Sequence, residues 1–200
     1  MKTAADAYEK KEDRHMPDDV VVRHCAPTLA GLKTGNLFTT SYETEEQLDS
    51  DITRLNAVLG AKGLRVRKLR ADHGRALIYV YRPGLLRSDL GSEDARRILR
   101  RFGYGEVGTE NCIARLMERI GENDGFPHEI GLFLGYPPED VQGFIDYGGR
   151  ACKSCGYWKV YGDVQEAEKQ FRRFTRCTGV YMKCLRMGTP FEKLAVRKAV

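Results

Sequence analysis

Four short stretches of this sequence gather the side chains that ligate metals, move protons or hold anions. The first is His24-Cys25-Ala26-Pro27-Thr28, running on to Lys33-Thr34-Gly35-Asn36. It combines an imidazole, a thiol and an ammonium with small polar groups. His24 is a candidate general base, and Thr28, Lys33 and Asn36 are candidate ligand-binding residues. Open α/β sheets bind ligands at the carboxyl ends of strands, and helix N-terminal amides with a nearby lysine hold anions. The stretch is not a Walker A loop, because Leu32 separates Gly31 from Lys33. The plain alternative is that His24 makes one backbone hydrogen bond and Cys25 fills core.

The second stretch is Phe126-Pro127-His128-Glu129. With Pro127 as the first helical residue, His128 and Glu129 fall in the first turn. There the helix dipole favours a carboxylate and disfavours a protonated imidazole. A neutral imidazole is a metal ligand, a general base or a hydrogen-bond donor, so His128 and Glu129 join His24 as catalytic candidates. Alternatively, Glu129 caps the helix and His128 lies on the surface.

The third is Cys152-Lys153-Ser154-Cys155, a Cys-x-x-Cys pair able to chelate a metal or cycle as a dithiol. Cys152, Cys155 and Cys25 are the candidate metal ligands, for zinc or iron. Cys177 and Cys184 cannot both complete a four-cysteine site. Seven residues apart on one helix, their Cα atoms lie about 10.5 Å apart, whereas a tetrahedral zinc holds two sulfurs less than about 4 Å apart. Cys155 precedes a strand, unlike the thioredoxin motif, which opens a helix. The fourth stretch is Tyr157-Trp158-Lys159-Val160-Tyr161. Strand alternation puts Tyr157, Lys159 and Tyr161 on one face, with Trp158 and Val160 on the other. Lys159 and Tyr161 are candidates to line a pocket for an anionic aromatic ligand; an amphipathic edge is the alternative.

The elements that must position these groups follow from periodicity. Residues 1–19 are polar and aperiodic and are expected to be a flexible leader, with one globular domain over 20–200. Val20–Cys25 is β-branched and predicts a strand stopped by Pro27, followed by a helical turn over Thr28–Thr34 that Gly35 ends. Thr44-Glu45-Glu46-Gln47 is a capping box, and Leu48, Ile52, Leu55 and Leu59 form one helical face. Leu64–Leu69 and Ala76–Tyr81 predict two strands joined as a hairpin through Ala71–Gly74. Ala76–Tyr81 is apolar on both faces and should be central. Helices are predicted over Ser92–Phe102 and Thr109–Ile120, from Pro127 to near Gly135, and from Pro138 to near Gly148. Tyr157–Tyr161 predicts a short strand. Asp163 caps the longest helix, with Ala167, Phe171, Phe174 and Tyr181 inward and Gly188 at its end. Thr189-Pro190-Phe191-Glu192 opens a last one. The expected fold is α/β or α+β: a single domain with a mixed sheet of about four strands packed by helices.

The totals allow such a domain. The chain has 200 residues, 42% hydrophobic and 30% charged, with a net charge of +5. Between Lys62 and Arg101 twelve Lys and Arg face four acids. A basic stretch of this kind attracts nucleic acid, anionic lipid or a phosphorylated ligand, with a solvated face as the plain alternative; no nucleic-acid motif accompanies it and nucleic acid ranks last. No apolar run suits a membrane span. The N-terminus opens with charge and lacks the apolar core of a signal peptide. The expected compartment is therefore the cytoplasm, where the six cysteines stay mostly reduced.

His24-Cys25-Ala26-Pro27-Thr28-Leu29-Ala30-Gly31-Leu32-Lys33-Thr34-Gly35-Asn36-Leu37, Phe126–Gly131 with Gly135-Tyr136-Pro137, and Gly156–Tyr161 together resemble the bacterial domain-of-unknown-function family 3793. The resemblance spans residue 20 to the C-terminus and carries over no catalytic residue or cofactor. Proteins of this kind occur in anaerobes beside flavodoxin and ferrous-iron transport genes, which implies iron or redox physiology and a redox partner such as a flavodoxin. The leading expectation is a ligand- or metal-handling protein whose site lies where the His24–Lys33, His128 and Cys152–Lys159 segments converge. The second is an enzyme acting on a phosphorylated or carboxylated small molecule, with Lys33 and Lys159 on the anion. The third is nucleic-acid or partner binding through residues 62–101.

Overall fold

In the computed structural model, which describes residues 15–105, 108–122 and 126–197, three strands form an antiparallel sheet in the order β1-β3-β2. They are β1 (Gly35–Ser41), β2 (Arg65–Asp72) and β3 (Arg75–Tyr81). The two-residue turn between β2 and β3 is His73-Gly74, both with positive φ (47° and 72°). That is the backbone a tight hairpin needs to match strand twist. β3 is central, and its period-two pattern feeds two cores. Ala76, Ile78 and Val80 enter one, while Tyr79 and Tyr81 enter the other.

The first core is closed by α1 (Asp18–Leu29) and α2 (Glu45–Gly60). Thr44 caps α2 by accepting the Gln47 N–H at 3.2 Å, and Leu48, Leu55 and Leu59 are buried as their spacing predicts. The second core is closed by α3 (Pro83–Leu90), α4 (Glu93–Arg101), α5 (Thr109–Gly121) and the single turn α6 (Ile130–Phe133). α7 (Pro138–Tyr147) follows, and Gly148 ends it in the left-handed conformation. A two-stranded antiparallel hairpin, β4 (Ser154–Cys155) and β5 (Lys159–Val160), leads into α8 (Val164–Arg186), whose cap Asp163 accepts the Glu166 N–H. α8 packs along α1. Gly188 ends α8, and the one-turn α9 (Phe191–Leu194) begins at Pro190 without a side-chain cap.

The segment expected as a first strand, Val20–Cys25, is helical. Val21, Val22, Cys25, Ala26 and Leu29 are all fully buried, a spacing of three and four that lays one helical stripe on the sheet. Burying an aliphatic side chain contributes about 1.5–3 kcal/mol, so several together outweigh the roughly 3 kcal/mol that an interior proline costs. Pro27 therefore lies inside α1. Its carbonyl accepts the Leu32 and Lys33 N–H groups, and Gly31, not Gly35, supplies the left-handed residue (φ 71°). Gly35 instead opens β1. Residues 1–14 of the expected leader lie outside the described residues. Its last part is ordered: the Met16 N–H donates to buried Asp51 at 2.8 Å, and the expected boundary at residue 19 falls inside α1.

Arg82, only 3% exposed, ties these layers together. Its guanidinium donates to the carbonyls of Thr28, Leu29 and Val196 at 2.7–2.8 Å. The end of α1 and the C-terminal segment thus share one cation, which satisfies carbonyls a helix end leaves open. Among the described residues no helix is long and apolar enough to cross a membrane.

Candidate functional site

The site is built outward from Asp140, an acidic residue in the first turn of α7 that is 3% exposed. Its Oδ1 accepts the backbone N–H groups of Tyr161 and Gly162, both at 2.7 Å, and its Oδ2 accepts the Trp158 indole N–H at 2.7 Å. Three donors on one buried carboxylate offset its desolvation and fix the hairpin against α7. The approach is close. A Cβ added at Gly143 would lie 2.6 Å from the Tyr161 Cβ, so only glycine fits there.

Trp158 is held on both faces. Tyr136 stacks on it with ring centroids 4.9 Å apart, and Phe171 of α8 meets it edge-on at 4.5 Å. Alternation along β5 is as the sequence predicts: Trp158 and Val160 are buried, Tyr157 is exposed and Lys159 is half-buried. Burial pushes the Tyr136 hydroxyl up to about 12. It stays neutral and donates to the Tyr157 carbonyl at 3.1 Å.

Between this hairpin and α6–α7 lies a cleft of about 280 Å³. Ile130, Tyr136, Val141, Phe144 and Trp158 supply its apolar walls, and Phe126, His128, Cys155 and Lys159 its more exposed edge. Among the described residues its one acidic lining residue is Asp140, whose two oxygens are already engaged. Lys159 donates to the Gly149 carbonyl at 2.5 Å and lies 5.9 Å from the Phe144 ring centroid. An ammonium has three donors, and among the described residues Lys159 uses one of them in a hydrogen bond. The His128 ring stands edge-on to Phe144 at 4.8 Å. Cys155 faces Lys159 directly in the β4–β5 register, which places both side chains on one face of the hairpin.

Of the three segments expected to converge, two do. His128 meets Cys155 and Lys159 in the cleft. Lys33 lies behind it, with its Nζ 5.1 Å from the ring centroid of Tyr136. It lines a second cavity of about 410 Å³ together with Asp89, Glu139 and Asp163. Its Nζ donates to the Gly35 carbonyl at 2.8 Å, and burial pulls its ammonium down to about 8. His24 lies elsewhere, stacked on Phe38 at 5.5 Å, and burial, then neighbouring Arg23, lowers its imidazole. Thr28 donates to the Asn36 side-chain oxygen at 2.8 Å, a tie between α1 and β1. Neither residue lines the cleft. Tyr161 also turns away from it, stacking on Tyr147 and donating to the Arg150 carbonyl.

Glu129 does not line the cleft with His128. It is fully buried and its Oε1 accepts Arg119 Nε at 2.5 Å and the Tyr104 hydroxyl at 3.2 Å. Its Oε2 has no hydrogen-bond partner among the described residues. Tyr104 is held well above the ordinary tyrosine range, first by burial and then by Glu129. All six cysteines are free thiols. Cys25 is fully enclosed in the first core and burial pushes its thiol up to about 12, which disfavours the thiolate a metal requires. Among the described residues no three His, Cys, Asp or Glu side chains come together as a metal-holding group. The described residues therefore do not assemble a ligand set for zinc or iron around Cys152 and Cys155.

About half of the cations in the basic 62–101 stretch are paired within the fold. Arg67 pairs with Glu110, Lys68 with Glu45 and Asp49, Arg97 with Asp94 and Arg101 with Asp146. Arg82 is buried. Sequence reasoning reached His128, Cys155 and Lys159 but missed Tyr136, Asp140, Phe144 and Trp158, the last of which it placed on the other face of the strand. Asp140 reads locally as an ordinary acid in a first helical turn, and only the fold turns it toward Trp158.

No curated protein and no solved structure is significantly similar to this chain. The sequence pattern of one family, described as protein of unknown function (DUF3793), matches residues 21–195. With nearly the whole chain and the cleft inside that match, the chain belongs to the DUF3793 family.

Proposed function

We propose that the protein is a small-molecule-binding protein that takes a flat aromatic anion in the Trp158 cleft. The observation that carries this is the pairing of aromatic walls, Tyr136, Phe144 and Trp158, with the Lys159 ammonium at the edge and, among the described residues, one already engaged carboxylate. Ligand sites are concave and mostly apolar, with a few polar groups that fix orientation. At about 280 Å³ the cleft has room for one or two fused rings. Lys159 takes the ligand's carboxylate or phosphate, and His128 adds a second donor at the edge. The iron and redox physiology implied by the family resemblance enters here as a redox-active aromatic ligand, not as a metal held by cysteines.

Trp158 is the single tryptophan of the chain, so its fluorescence reports on the cleft directly. Titration with 2-naphthoate, indole-3-acetate and 4-hydroxybenzoate should quench or shift that emission saturably for at least one of the three. Emission unchanged by all three at millimolar concentration overturns the proposal.

A further inference from the structure

The cations of the 62–101 stretch are spread over several elements and about half are paired, whereas α8 carries a continuous run of positive charge. From Lys169 to Arg186 there are six cations and no Asp or Glu. Lys169, Arg172, Arg173, Arg176 and Lys183 are exposed, and their spacing of three, four and seven puts them on one face of the helix. The stripe runs for roughly 25 Å at ~1.5 Å per residue. Carboxylates reach only its beginning: Glu166 lies 3.4 Å from Lys169 and Glu168 lies 3.8 Å from Arg172. Beyond that point Arg176, Lys183 and Arg186 have no ion pair among the described residues.

The same face carries two apolar side chains. Val180 is 51% exposed and Met187 is 74% exposed, seven residues apart and therefore in line with Arg176 and Lys183. The opposite face of α8 is used up against α1 and the hairpin. A membrane-surface helix needs a broad apolar face toward lipid, and here that face is inside the protein. A nucleic-acid backbone would engage the cations but give Val180 and Met187 nothing apolar to meet. A protein surface takes both, because interfaces surround buried apolar contacts with a charged rim and favour Arg and Met.

We infer that the outer face of α8 is a docking surface for an acidic protein partner, with Val180 and Met187 as its apolar contacts and the Lys169–Arg186 stripe as its steering charge. This surface is separate from the Trp158 cleft and does not depend on the reading of that cleft.

The probe is a synthetic acidic helix carrying glutamates at the spacing of the stripe and two leucines placed to meet Val180 and Met187. Its binding to the full chain is followed by fluorescence anisotropy. It should bind at least fivefold more tightly than the same peptide with the leucines replaced by alanine. Affinity should fall at least tenfold between 50 and 300 mM salt, the response expected of charge steering. Val180→Ser/Met187→Ser should erase the leucine preference, and Arg172→Glu/Arg176→Glu should erase binding while leaving the melting temperature and Trp158 emission unchanged. No binding, or binding indifferent to the leucines, overturns the inference. So does tighter binding of a 20-base-pair DNA duplex or of phosphatidylserine-containing vesicles in the same assay.

Discussion

The indole N–H of Trp158 donates to Asp140 at 2.7 Å, and that bond decides whether the cleft has a wall. The other oxygen of the same carboxylate holds the backbone of Tyr161 and Gly162. One side chain of α7 therefore sets the position of the entire β5 end of the hairpin, including Lys159.

Asp140→Ala removes three charge-assisted bonds and strands the Trp158 N–H, Tyr161 N–H and Gly162 N–H. An unsatisfied buried donor costs about 1–3 kcal/mol, and the three are not independent. The expected loss is about 3 kcal/mol in urea unfolding, with a red shift of Trp158 emission in the native state. Unchanged emission would mean that Asp140 does not position the indole.

The glycines at the hairpin contacts predict a second loss. Gly143→Ala drives a methyl against the Tyr161 side chain, and overpacking of this kind costs about 1–3 kcal/mol. The variant should fold with a lower melting temperature and a displaced hairpin. Gly121→Ala, which meets nothing within 4 Å, should melt within a degree or two of the wild type.

Much of this arrangement is legible in the sequence. The Thr44 capping box, the β2–β3 hairpin, central β3 and the Asp163 cap follow from local patterning, because each is fixed by residues within a few positions of one another. What local patterning conceals is decided by packing. Val20-Val21-Val22 carries β propensity, yet tertiary burial of one helical stripe overrides it. Gly35–Ser41 looks polar and irregular but forms β1 because β3 offers it a complete ladder. Pro83–Leu90 is a helix opened by its own proline and seated on Leu86 and Leu90. In the site, Lys33 and Lys159 look equivalent by residue type, whereas the fold puts Tyr136 between Lys33 and the cleft.

Lys33 makes a pH prediction whose sign follows from its burial. Its ammonium sits at about 8 in the folded protein and at the ordinary 10.5 when unfolded, so above about pH 8 the unfolded chain binds more protons and stability rises with pH. Cys25 acts in the other direction. Its thiol sits at about 12 folded against 9.0 unfolded, so stability is lost above about pH 9. The gain is thus confined to the window from about 8 to 9 and amounts to about 1 kcal/mol. Urea midpoints of the wild type should rise across that window, and those of Lys33→Met should not. A flat wild-type profile, or a rise that persists in Lys33→Met, would contradict the assignment.

The cysteines predict independence from metal. Cys152→Ser/Cys155→Ser should leave bound zinc and iron unchanged and shift stability by less than about 1 kcal/mol, as surface substitutions do. Exposed Cys155 should alkylate first and fully enclosed Cys25 last under native conditions, read by mass spectrometry of timed samples. Stoichiometric metal lost in the double variant would restore the pair as a metal site.

The most direct test of the account compares Lys159→Met with wild type for two ligands of one shape, 2-naphthoate and 2-naphthalenemethanol, each titrated through Trp158 fluorescence. If Lys159 carries the ligand's charge, the carboxylate loses about tenfold in affinity, about 1.4 kcal/mol, while the neutral alcohol binds both proteins equally. Equal losses for both ligands, or a carboxylate affinity untouched by the substitution, would contradict the claim that this cleft is an anion-selective aromatic site.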